Sequence, residues 1–232
     1  MGTFHANRFP SESESYRTMR DKLLATEIKL RKQIEDVAAL RRQLPCGGQV
    51  KEDYIFEEGA ADLDDLRTTR QTKLSELFSS GKNTLVVYSF MFAPDWEKPC
   101  TSCNSILDGL NGSASHVKNR VSLAVVGKAP IRKLRDWARG RDWKNLRLLS
   151  SAGNSYNHDY FAESVDHGQL AALNVFQKVN GNIFHFYNTE LLYAPKEEGQ
   201  DARHVDFIWP VWNIFDLTPE GRGTNWYPKF EY

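Results

Sequence analysis

Leu23, Leu30, Val37 and Leu44 recur seven residues apart, with Leu24, Ile28, Ile34 and Leu40 between them and Lys, Arg, Glu and Asp opposite. That spacing predicts one long amphipathic helix. Ser11 and Glu14 have the spacing of a capping box just after Pro10, and Pro45 with Gly47-Gly48 forms a stop, so residues 1–48 are expected to form a helical arm. Such a helix either packs on its own domain or meets a second copy through a seam of about three to four heptads. Beyond the arm the period changes. DYIFE (53–57) reads as a short strand, followed to Gln71 by a polar loop with a helical turn at Leu63 to Arg67, and Leu74, Leu77 and Phe78 share one face of a further turn. Leu85, Val86, Val87, Tyr88, Phe90, Met91 and Phe92 form a near-continuous apolar run, as in a strand buried on both faces. A helix from Cys100, a strand at Val121 to Val126, an amphipathic helix at Ile131 to Arg141 and a strand at Leu146 to Leu149 complete a βαβαβ succession. This implies parallel strands with right-handed crossovers. Arg132, Lys133, Arg135, Arg139 and Arg141 read as the solvated face of their helix. Gly153 to Gly168 reads as loop with at most a short helix. Leu173 to Val179 and Asn182 to Tyr187 flank Asn180-Gly181, the signature of a tight hairpin.

The expected fold class is therefore α/β, a central mixed sheet flanked by helices, with the main domain at 49–204. Residues 205–232 carry Trp209, Trp212 and Trp226 with Phe215 and Tyr227. That much aromatic mass argues for a packed extension around a short helix at Val211 to Asp216.

Composition narrows the partners. Thirty basic residues balance thirty acidic ones, so no net field favours nucleic acid or an anionic membrane. There is no membrane-length apolar run and no signal-peptide pattern at the start, so a cytoplasmic protein is the expectation. Three cysteines, two of them in Cys100-Thr101-Ser102-Cys103, do not make a secreted disulfide framework.

The CxxC pair carries the candidate chemistry. At a helix start the unpaired N–H groups favour thiolate at Cys100, which would attack a disulfide, and Cys103, one turn deeper, would resolve the mixed disulfide. Strand, turn, CxxC and helix together are the thioredoxin arrangement. Lys98 is a candidate to assist the thiolate, Trp96 to line or cover a substrate groove, and Asp95 to serve as a turn residue or to accept the Cys103 proton. Cys46, in the stop after the arm, reads as a bystander, and His185 as a satisfied strand histidine.

RRQLP (41–45), DYIFE, LSELF (74–78), FMFAPDW (90–96), CTSC, APIRKL (129–134), SSAGNSYNHDY (150–160), NVF with the hairpin, and FDLTPEGR (215–222) together resemble a thioredoxin-like family of unknown function. Its members are labelled predicted dithiol-disulfide oxidoreductases. The resemblance implies a thioredoxin fold with a helical N-terminal arm, and an oxidoreductase needing no cofactor. The chain departs from that family's pattern at Cys46-Gly47, at Arg141-Asp142, and at Ser89, which stands in place of a histidine that could have tuned a thiol or bound a metal.

Two features set the chain apart from neighbouring chemistries. QLAALN (169–174) lacks the proline that thioredoxins place opposite the CxxC, and Pro94 is not followed by the Thr/Ser and Cys spacing of a peroxidase. A copper site is the rival: the Cys100 and Cys103 thiolates with an imidazole from His158 or His167, oriented by Asp159 or Asp166, would suit Cu(I). A third reading is an interaction module with an idle CxxC. The expected partners are a small or protein thiol or disulfide, and a second copy of the chain through the arm.

Overall fold

The computed structural model describes residues 4–195, 198, 208–221, 223 and 226–232. Two compact units, Met1–Pro45 and Cys46–Tyr232, make up the chain.

The first unit holds α1, Glu14–Arg42. Its cap is Ser13, whose Oγ accepts the Tyr16 N–H at 3.2 Å. Ser11 lies outside the helix at φ 56°. The box expected at Ser11 and Glu14 is thus replaced by a simple cap at Ser13, and Glu14 opens the helix where its charge suits the positive end of the dipole. Arg41 and Arg42 close the opposite end. Leu44, last of the seven-residue row, falls beyond the helix.

In the second unit a seven-stranded sheet runs β2-β1-β5-β4-β3-β8-β9, with β1 Ile55–Gly59, β2 Thr69–Lys73, β3 Thr84–Phe90, β4 Ser122–Gly127, β5 Leu148–Ser150, β8 Ala172–Val179 and β9 Asn182–Asn188. Helices α2 (Thr101–Arg120), α3 (Ile131–Gly140), α4 (Tyr156–Asp159) and α5 (Pro210–Phe215) join it, with a two-stranded ribbon of β6 (Glu163–Ser164) and β7 (Gly168–Gln169). The central strand β3 pairs parallel with β4 and antiparallel with β8. Its side chains alternate between two cores. Tyr88 and Phe90 join Cys103, Ile106, Leu107, Leu134 and Trp143 under α2 and α3. Leu85 and Val87 join Tyr54, Phe56, Tyr156 and Phe176 on the other face. The β8-β9 hairpin turns at Asn180 (φ 50°) and Gly181 (φ 83°), the left-handed pair that a two-residue turn needs. A parallel strand–helix–strand unit, flanked on its first strand by an antiparallel hairpin and covered on both faces, is a thioredoxin-like fold.

Three expectations change. β2 lies within the stretch read as loop; TRQTK buries only Thr72, and an edge strand of this kind carries no apolar alternation to betray it. The helical turn at Leu63 to Arg67 is instead a pair of side-chain-capped turns, in which the Asp62 carboxylate accepts from Asp64 N–H and that of Asp65 from the Arg67 and Thr68 N–H groups. The basic face of α3 is solvated at Arg132, which is exposed, but engaged elsewhere. Arg135 is buried, donating to the carbonyls of Ala60, of Asp62 at 2.6 Å and of Asp65 at 2.8 Å. Arg141 pairs with Asp108 of α2 at 2.5 Å. The tail helix α5 buries Trp209 and Trp212, and Trp209 Nε1 donates to Ser105 Oγ of α2 at 2.9 Å. Residues 205–207, 222, 224 and 225, which belong to the expected extension, lie outside the described residues.

Candidate functional site

The chain leaves β3 at Phe90 and turns at Pro94-Asp95, where the Trp96 N–H returns to the Ala93 carbonyl at 3.3 Å. It is then pinned back to the strand end: Cys100 N–H donates to the Met91 carbonyl at 3.1 Å, and Ala129 N–H to that of Phe92 at 2.8 Å. Cys100 is thereby the N-cap of α2, in extended backbone, and its Sγ accepts the Cys103 N–H at 3.5 Å. A sulfur here takes the place of the usual Ser or Asp oxygen.

The two thiols have opposite acidities. The Cys103 thiol, donating to the Cys100 sulfur, does most to lower the Cys100 pKa; burial opposes it, and the Cys103 and Ser102 N–H groups and the Ser102 hydroxyl add to it. The outcome is a Cys100 pKa of about 6. Cys103 is pushed well up by its bond to Cys100, by its complete burial and by the negative charge on Cys100. Both are free thiols, as is the exposed Cys46. At neutral pH the pair is one thiolate and one thiol.

Trp96 is half-buried and packs against the core that contains Cys103, and its carbonyl, with that of Pro94, holds Lys133 Nζ. Asp95 is exposed on the turn while Cys103 is buried. Lys98 is exposed, its Nζ 5.9 Å from the centre of the Phe230 ring. Neither histidine joins the thiols. His158 lies on α4 with its side chain 69% exposed and Nδ1 3.5 Å from Asp159, whose carboxylate is engaged by Lys51, Tyr54 and Ser155. His167 is exposed in the β6-β7 turn, where its N–H donates to Ser164 Oγ, and Asp166 beside it is also exposed. Among the described residues no group of three or more His, Cys, Asp or Glu is placed to hold a metal ion.

Ser89 is buried on the face of β3 turned away from the thiols, toward Tyr156 and Asn174. A histidine at this position would reach that polar cluster rather than the CxxC, which corrects the role expected for it. His185 is satisfied, its Nε2 3.0 Å from Asn174 Oδ1.

The model for a bacterial protein of unknown function (DUF899) matches residues 6–232. The chain belongs to this family. No curated protein matches it. Among solved structures, thioredoxin peroxidase I of Plasmodium yoelii is 16% identical with a TM-score of 0.47, over 80% of this chain and 100% of the other. Peroxidoxin BcpB of Mycobacterium tuberculosis is 17% identical with a TM-score of 0.43, over 72% and 96%. AhpC of Enterococcus faecalis is 9% identical with a TM-score of 0.45, over 73% and 92%. The fold of this DUF899 member rests on its own strand order, and its chemistry on its own residues.

Two groups at the site escaped the sequence pattern. Ser102 sits inside the CxxC, yet both its N–H and its hydroxyl serve Cys100. Tyr88 reads as one more apolar strand residue, but its buried hydroxyl has no hydrogen-bond partner among the described residues and is close enough to Cys103 and Cys100 to feel their charge. The available signal was a hydroxyl within an otherwise apolar strand.

Proposed function

We propose that this protein is a thiol-disulfide oxidoreductase that cycles Cys100 and Cys103 between dithiol and disulfide. The observation that carries this reading is the asymmetry of the pair, a half-buried Cys100 poised near pH 6 beside a fully buried Cys103 whose proton is held. An attacking thiol whose pKa lies close to ambient pH is the most effective one, because a lower pKa weakens the nucleophile and a higher one empties the thiolate.

Cys100 thiolate attacks one sulfur of a substrate disulfide, forms a mixed disulfide and expels the other sulfur as a thiolate. Cys103 then loses its proton to that leaving thiolate and attacks Cys100 Sγ. The Cys100–Cys103 disulfide forms and the second substrate sulfur departs. Two electrons pass from protein to substrate, and an external thiol reductant restores the dithiol. A cavity of about 340 Å³ walled by Tyr88, Ile106, Leu110, Leu173 and Pro210 opens one to two turns along α2 from Cys103, with room for the apolar part of a substrate.

The test uses a Cys46→Ser background, so that the exposed thiol does not report, and an aromatic disulfide that releases a coloured thiolate. The intact pair releases two thiolates per chain. Cys103→Ser releases one and retains the adduct, and Cys100→Ser releases none on the same timescale. One thiolate per chain from the intact pair, with a persistent adduct, would overturn the reading. Tight stoichiometric Cu(I) binding lost on Cys100→Ser would replace it with the copper reading.

A further inference from the structure

Tyr88, on β3, belongs to the same buried cluster as Cys103 and lines the cavity beside Ile106, Gly109 and Leu110 of α2. Its side chain is fully buried, and its Oη is one of the few buried polar atoms with no hydrogen-bond partner among the described residues. A buried hydroxyl left unpaired in the resting protein costs about 1–3 kcal/mol. Such an orphan calls for a partner that exists in another state of the protein.

The sulfurs supply that partner. With Cys100 as thiolate, the Cys103 proton is held between the two sulfurs, and the Tyr88 hydroxyl lies beside Cys103 without a well-formed hydrogen bond to it. Once Cys100 is tied into a mixed disulfide its charge is gone, and with it the strongest cause that keeps Cys103 protonated. What then faces the Cys103 sulfur is burial, which opposes ionisation, against two donors, the Tyr88 hydroxyl and the Met91 backbone. The polar groups further along α2 are engaged elsewhere: Asn104 accepts from Trp137 Nε1 at 2.9 Å, and Asp108 holds Trp143 Nε1 at 2.8 Å as well as Arg141. Lys98 points its charge at the Phe230 ring.

We propose that Tyr88 is the third member of the site, donating a hydrogen bond to the Cys103 thiolate formed in the mixed-disulfide state and so promoting the resolving attack on Cys100. This rests on the oxidoreductase reading above. Tyr88 remains a phenol throughout, since burial and the neighbouring sulfurs push its own pKa up. It is a donor and not a base; the Cys103 proton goes to the thiolate expelled when Cys100 attacked, the new bond is Cys103–Cys100, the bond broken is that from Cys100 to the second substrate sulfur, and that sulfur departs as a thiolate.

Tyr88→Phe, in the Cys46→Ser background, removes only the unpaired hydroxyl and keeps the ring that packs the core. The two thiolate releases from the aromatic disulfide are followed by stopped flow across pH. The first release, which reports Cys100 and the integrity of its helix start, is expected to keep its rate and its midpoint near pH 6. The second is expected to slow about ten-fold near neutral pH and to shift its pH midpoint upward by about one unit, the scale of one hydrogen bond to a charged group. A second release with unchanged rate and midpoint in Tyr88→Phe overturns the role of Tyr88 and leaves the oxidoreductase reading intact. Absence of a second release in the protein that retains Tyr88 overturns the reading on which it rests.

Discussion

Cys100 and Cys103 lie one helical turn apart, yet the first is brought to its reactive form and the second held back, because the Cys103 thiol donates to the Cys100 sulfur at the open end of α2 and is itself buried in the core. The thiolate is the deprotonated form, so alkylation of Cys100 in Cys46→Ser is expected to rise as pH increases through about 6 and to level off above 7. Cys103→Ala deletes the strongest donor to that thiolate, and the midpoint should then move up toward the free-thiol value of about 8.5. A midpoint that stayed near 6 would assign the effect to the helix end alone. Both roles could be read from the CxxC spacing. The contribution of Tyr88 could not, because only the folded strand shows its hydroxyl to be buried and unpaired.

At the scale of elements, two polar clamps hold the helices and strands that present the site. Asp108 of α2 accepts from Arg141 and from the buried Trp143, just past the end of α3. Asp108→Ala leaves the indole N–H without its acceptor and should cost about 1–3 kcal/mol, read as a lower urea midpoint with unchanged slope. Glu58 on β1 ties Arg147 at 2.7 Å, Arg70 of β2 at 3.1 Å and the Thr72 hydroxyl at 2.7 Å, with its side chain only 8% exposed. Burial alone would push its carboxyl up, but Arg147, Thr72 and Arg70 outweigh that and hold its pKa below the ordinary value. The stability it contributes is therefore present above the ordinary carboxylate pKa of about 4.3 and is lost as pH falls through the depressed native value. Glu58→Gln, which removes the charge that Arg147 and Thr72 serve, is expected to cost about 1–3 kcal/mol at neutral pH and to make the acid loss of stability shallower, measured by denaturant melts between pH 3 and 7. β3, β4, α2, α3 and the Asn180-Gly181 hairpin were legible because their apolar periods or turn residues are local. β2 and the clamp of Arg135 were not: the strand shows almost no apolar face, and the arginine is held by carbonyls 70 and 73 residues away.

At the scale of the molecule, one thioredoxin-like sheet carries two cores, and the thiols belong to the core under α2 and α3, while His158 and Ser89 lie with the other. This separation, invisible in the chain order, is what parts His158 from the CxxC, while His167 is exposed in the β6-β7 turn. No helix among the described residues is long and apolar enough to cross a membrane. With thirty charges of each sign and a pI of about 7.0, the protein should be least soluble near pH 7, with turbidity falling on either side. The central claim concerns the redox couple itself, and a free-thiol count by mass spectrometry across glutathione buffers of graded redox ratio tests it most directly. The account predicts that Cys100 and Cys103 lose both thiols together in one reversible two-electron step, absent in either Cys→Ser variant. Two thiols that stay free across the whole range, or that oxidise independently of each other, would contradict it.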